Sequence, residues 1–166
     1  MIRSVRALQA VTVIVIVALD QFVKMLVRGR LTFGDSIEVI PGLLDLTRVH
    51  NTGAAFGMLN DLNFPYKSVV VPLVATAALA GLAMYAATLD ASQRLSRIGL
   101  TFVVGGAAGN LIDRVVYGYV LDFVDFYWNG WHFWAFNVAD ASITIGVALM
   151  ILDLLGAGSR HVSRAV

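Results

Sequence analysis

Four stretches of this chain are each apolar for long enough to cross a bilayer as a helix, at about 8–27, 68–89, 98–117 and 135–155. Nothing else in the sequence restricts the fold as strongly. Hydrocarbon offers no hydrogen-bond partners, so a spanning segment must satisfy its own backbone, and a helix does so. Composition agrees, with 58% hydrophobic residues, 14% charged and a mean hydropathy of +0.78. Four spans and their loops account for most of the 166 residues. The expectation is an α-helical polytopic membrane protein, one membrane-embedded domain over 1–166. Residues 1–19 have the positive start and apolar middle of a secretory signal. No small-x-small cleavage site follows, so they read as an uncleaved first span.

The segment at about 31–64 differs in character. Alternation in "SIEVI" and "LLDLTRVH", divided by Pro41-Gly42, predicts a small antiparallel β-sheet outside the membrane. Residues 118–134 are aromatic and resemble an interfacial belt, with Trp128, Trp131 and Trp134 read as anchors rather than a lid. The third span carries Gly99, Gly105, Gly106 and Gly109, which allow close helix approach and place it centrally in the bundle.

Tracing the polar residues through alternating crossings gives a convergence. Asp20 and Lys24 lie late in span one, Asn110, Asp113 and Arg114 late in span three, and Asn137 and Asp140 early in span four. All seven fall toward one membrane face, together with the 31–64 loop and the loop bearing Asp122. An aspartate central in a span costs about 2.5–3.5 kcal/mol on insertion scales, so several at one depth point to a shared polar site. The basic residues divide equally between the faces. Arg3, Arg6, Arg94, Arg97, Arg160 and Arg164, however, crowd into short flanks, which assigns that face to the cytoplasm. Both termini are then cytoplasmic and the polar site opens outward.

Several chemistries lack their parts. The chain has no cysteine, which removes thiolate nucleophiles and Cys-containing zinc sites. His50, His132 and His161 show no metal-ligand spacing, no G-x-S-x-G elbow is present, and Lys24 and Lys67 are not spaced for a Ser-Lys pair. A net charge of +1 with scattered basic residues gives no argument for nucleic acid. Neither metal nor cofactor is expected. Carboxylates remain: Asp20, Asp113, Asp122, Asp125 and Asp140. Two held close in a poorly solvated site share one proton, so one can take a proton from water while the other protonates a carbonyl. Asp20 has Lys24 at i+4, the favourable order for an ion pair, and Asp113 has Arg114 beside it in sequence, although adjacent helix residues point differently. Asp122 and Asp140 have no obvious cationic partner.

Five motifs in order, "DQFVK" at 20–24, "NTGAAF" at 51–56, "GGAAGNLIDR" at 105–114, "VLDF" at 120–123 and "FNVAD" at 136–140, resemble those of bacterial lipoprotein signal peptidases, also called signal peptidase II. The resemblance implies a four-span intramembrane aspartyl endopeptidase of the bacterial inner membrane. Such enzymes remove signal peptides from diacylglyceryl-modified prolipoproteins, cutting before the lipidated cysteine. It further implies Asp122 and Asp140 as the catalytic pair, Asn51, Asn110, Arg114 and Asn137 lining the substrate site, and Asp20, Lys24 and Asp113 supporting it. Membrane lipid and the cyclic-peptide inhibitor globomycin are the other expected partners. Gly53 to Ala55 are small, which would let substrate backbone pass close. The main rival is a small proton-coupled transporter, opposed by polar residues confined to one face and by the absence of repeated halves. A non-enzymatic membrane chaperone would tolerate loss of either aspartate.

Overall fold

The computed structural model describes residues 2–53, 64–90 and 92–162. Helices α1 (Ile2–Arg30), α2 (Lys67–Thr88), α3 (Arg94–Tyr117) and α4 (Val138–Val162) alternate with strands β1 (Ser36–Ile40), β2 (Leu44–Asn51), β3 (Val120–Trp128) and β4 (Trp131–His132). All four helices contain windows long and apolar enough to cross a membrane. Leucine, isoleucine and valine cover their outward surfaces, Leu8, Ile14, Leu73, Val115 and Leu154 among them, as lipid contact requires. None of the side chains of α2 is buried.

The bundle centres on α3, whose glycines remove the bulk that would separate the helices. At Gly106 a Cβ would run into the Ala139 carbonyl and the Ile143 side chain, and Gly99 and Gly146 face each other's backbones across α3 and α4. Gly106→Val should therefore push α4 away from α3, at a cost of roughly 1–3 kcal/mol or more. Thermal unfolding in detergent checks this, and an unchanged midpoint would mean that the helices do not approach as closely as described.

The sheet has the order β1-β2-β3-β4 and is antiparallel throughout. The β1–β2 turn contains Gly42 at φ 74°, where a side chain would be strained. Asn129-Gly130 joins β3 to β4 with positive φ at both residues, the pattern of a type I′ hairpin turn. Here the structure extends the sequence expectation. The 118–134 segment is no mere aromatic loop, because Val120–Trp128 pairs along β2 from Asn51↔Val120 to Leu44↔Phe126. Its aromatic residues hide the alternation that marks a strand. Trp128, Trp131 and Trp134 all remain exposed, as belt anchors would be.

The sheet is fastened to the bundle at the end where α1 and α3 finish and α4 begins. Val27 and Leu31 of the α1 end pack with Leu121 and Phe123 of β3 in a buried apolar cluster that Val138 of α4 joins. The Arg48 guanidinium donates to the carbonyls of Arg28 (3.3 Å) and Leu31 (2.7 Å), satisfying acceptors that the end of a helix leaves open. Helix α4 begins at Val138, slightly later than hydropathy suggests, since Phe136 instead closes a bridge with Val124.

Candidate active site

Position 140 is fixed by local chain chemistry. Asn137 precedes the first residue of α4, and its side-chain oxygen accepts from the Asp140 N–H (2.9 Å). The Asp140 carboxylate in turn accepts from the Asn137 N–H (3.2 Å). This reciprocal pair is a capping box built from Asn and Asp. Asp20 completes the cap by accepting from the Ala139 N–H (3.0 Å). Helix α4 thus starts with the Ala139 and Asp140 N–H groups satisfied and with the carboxylate of Asp140 folded back onto the Asn137 N–H. Asp140 is half-buried, so one side of it remains open.

Asp122 comes from the strand side. It is buried, and both of its oxygens accept amide hydrogens, from Asn137 Nδ2 at 2.7 Å and from Asn51 Nδ2 at 3.1 Å. Asn137 therefore touches both aspartates, one through its side-chain nitrogen and the other through its backbone and side-chain oxygen. Burial first, and then the neighbouring Asp140 charge, push the Asp122 carboxyl up to about 7, against the opposing hydrogen bonds of Asn51 and Asn137 and the positive charge of Lys24.

A buried ionic cluster underlies the pair. Lys24 contacts Asp20 at 2.8 Å and Asp113 at 3.0 Å, with all three side chains inaccessible to solvent. Its third contact is the Asn110 side-chain oxygen, at 3.0 Å. Asn110 Nδ2 then donates to Asp140 at 2.8 Å. Asp113 also binds Arg28 at 2.8 Å and accepts from the Leu121 N–H at 3.1 Å, which ties the residue before Asp122 to α3. Arg114 does not pair with Asp113, its neighbour in sequence. It donates to the Gly53 carbonyl at 2.9 Å and more weakly to that of Asn110 at 3.4 Å, and its Nε is buried without an acceptor among the described residues.

A family model described as signal peptidase (SPase) II matches residues 12–156. The chain belongs to the signal peptidase II family. It is 44% identical over 148 residues to the lipoprotein signal peptidase of Symbiobacterium thermophilum, covering 89% of this chain and 94% of that protein. Its likeness to the lipoprotein signal peptidase of Geobacter metallireducens is 44% identity over 137 residues, covering 82% and 83% of the two chains. A bacterial membrane enzyme solved by the in meso method superposes with a TM-score of 0.81 at 33% identity, over 93% of this chain and 91% of that one. This signal peptidase II family member is thus a multi-pass membrane peptidase.

The structure gathers Asp20, Lys24, Asn51, Gly53, Asn110, Asp113, Arg114, Asp122, Asn137 and Asp140 into one hydrogen-bonded cluster. Ala54 and Ala55, which the sequence suggested as a close path for substrate, lie outside the described residues. Asp125 stands apart and pairs with His132 at 2.8 Å across the β3–β4 hairpin. His50 stacks on Tyr119 with ring centres 3.7 Å apart. Among the described residues no group of three or more His, Asp or Glu side chains is arranged to hold a metal ion. Sequence reasoning missed Gln21 and Arg28. Gln21 donates to Asp20 and Asp113, each at 3.2 Å. A signal for Arg28 was present, because Asp20, Lys24 and Arg28 recur every four residues and form one stripe along α1. The asparagine cap was also legible as N-x-x-D before an apolar run.

Proposed function

We propose that this peptidase is an intramembrane aspartyl endopeptidase that removes signal peptides from diacylglyceryl-modified prolipoproteins, cleaving before the lipidated cysteine. One observation carries the reading: Asp122 and Asp140, on a strand and a helix start, converge on Asn137 with amide donors on each, beside a half-open carboxylate. The names of the relatives support peptidase activity and set aside the transporter.

In this mechanism Asp122, the more buried acid, carries the shared proton, and Asp140, the accessible one, is the base. Asp140 takes a proton from water while the water oxygen adds to the scissile carbonyl carbon, and Asp122 gives its proton to the carbonyl oxygen. Collapse of the tetrahedral intermediate breaks the C–N bond as Asp140 passes its proton to the departing nitrogen and the hydroxyl proton returns to Asp122. A carboxyl-terminated signal peptide and a lipidated cysteine with a free amine result. The Arg114 guanidinium, which holds the Gly53 carbonyl, is a donor fork for a substrate carbonyl. Asn51, Asn110 and Asn137 hold the pair, and Asp20, Lys24 and Asp113 support them. The site opens toward the extracytoplasmic face of the inner membrane with both termini cytoplasmic, consistent with the arginines of the opposite flanks. Substrate enters laterally, leaving its diacylglyceryl chains in lipid.

The purified enzyme in lipid, given a diacylglyceryl-modified prolipoprotein, should release the signal peptide and expose the lipidated cysteine as the new amino terminus, with globomycin inhibiting. Intact substrate, with proton flux into liposomes instead, would overturn the reading. A pH dependence follows from Asp122. It donates only when protonated, and it is protonated below about 7. The rate of cleavage should fall as pH rises through that value, with one proton lost. A flat profile through the same range would remove Asp122 as the acid.

A further inference from the structure

The orientation of an asparagine amide is decided by what its two ends touch. At this site each of three amides has its oxygen occupied by a donor that cannot act as an acceptor. Gly53 N–H donates to Asn51 Oδ1 (3.0 Å), Asp140 N–H to Asn137 Oδ1 (2.9 Å), and the Lys24 ammonium to Asn110 Oδ1 (3.0 Å). Each NH2 group is thereby left facing an aspartate. Two of these locks are backbone and come with the fold. The third is a side chain.

We propose that Lys24 is a positioning residue for peptide cleavage: by pinning the Asn110 oxygen, it keeps the Asn110 NH2 donating to Asp140. This deepens the catalytic reading above and rests on it. Lysine has three N–H donors, and all three are used, on Asp20, Asp113 and Asn110. With Lys24 fully buried, a flipped Asn110 amide would leave one ammonium hydrogen without an acceptor and turn a carbonyl lone pair toward the Asp140 carboxylate. Both consequences oppose the flip. Without the ammonium only the weaker Asn137 contact, at 3.2 Å, holds the Asn110 oxygen, and Asn137 Nδ2 already gives its shorter bond to Asp122. An Asp140 that no longer receives the Asn110 hydrogen bond is poorly aimed at its water. Substrate contacts are not altered, so the loss falls on kcat and not on KM.

The test starts from Asp20→Asn as reference, because that change removes one of the two carboxylates on Lys24 and leaves Asp113 paired with Arg28. In that background Lys24→Met should lower kcat roughly 10²-fold with KM within about twofold. Lys24→Gln keeps an N–H donor for the Asn110 oxygen and should stay within about tenfold of the reference. Adding Asn110→Ala to Lys24→Met should cost little more, since the two changes remove the same hydrogen bond. Equal losses for Met and Gln, or losses that multiply with Asn110→Ala, would overturn the proposal. Should the Met variant not fold, the Gln variant alone decides, and a loss beyond about 10²-fold there also overturns it. An active Asp140→Asn enzyme would instead sink the catalytic reading itself, so the two failures are distinguishable.

Discussion

Asp140→Asn is expected to stay folded and to lose about 10³-fold or more in kcat on a lipidated prolipoprotein. Asparagine is the informative replacement because Asp140 does two jobs. Its carboxylate accepts from the Asn137 N–H, and an asparagine oxygen can take over that bond and keep the start of α4 capped. What asparagine cannot do is accept a proton from water. Alanine would confuse the two roles by removing the cap as well, at about 1 kcal/mol. The measurement is kcat alongside the thermal midpoint in detergent. A stable, fully active Asp140→Asn enzyme would show that the base lies elsewhere.

Asp113→Ala should be the most destabilising single change in the cluster. Asp113 is inaccessible to solvent and meets Lys24, Arg28, Gln21 and the Leu121 N–H. Removing it leaves Lys24 and Arg28 with Asp20 as the one carboxylate among them, an uncompensated charge that costs about 3–5 kcal/mol. It also frees the strand residue next to Asp122, so whatever enzyme folds would hold that acid loosely. Thermal unfolding in detergent should show a large drop in midpoint, with Asp113→Asn intermediate because it can still accept the Leu121 N–H. A midpoint within error of the parent for Asp113→Ala would mean that the ionic cluster contributes nothing to stability.

Much of this arrangement was readable from residue order. Apolar windows locate the four helices, and the alternation of crossing direction brings Asp20, Lys24, Asn110, Asp113, Asn137 and Asp140 to one end. The glycines of α3 announced close packing because small residues in a spanning helix have few other uses. What stayed hidden depended on contacts between distant segments. The pairing of Asp122's strand with β2 could not be seen, because "VLDFVDFYW" is apolar or aromatic at almost every position and has no clear period of two. Helix geometry sends the adjacent side chains of Asp113 and Arg114 apart, but which cations Asp113 meets instead was hidden, because they arrive from α1. The orientation of the Asn110 amide was also out of reach, since it is set by the Lys24 ammonium, 86 residues away in sequence.

The central claim is that Asp122 and Asp140 work as one proton-sharing pair, and the Asp122→Asn variant tests it most directly. Asp122 lies on a strand outside the spanning helices and caps nothing, and an asparagine there keeps an oxygen for the Asn137 amide while it can no longer give up a carboxyl proton. Single-turnover cleavage of a diacylglyceryl-modified prolipoprotein by the folded Asp122→Asn enzyme should be slower than wild type by about 10³-fold or more, matching Asp140→Asn, and the double variant should be scarcely slower than either. Cleavage by folded Asp122→Asn at near the wild-type rate would contradict the pair.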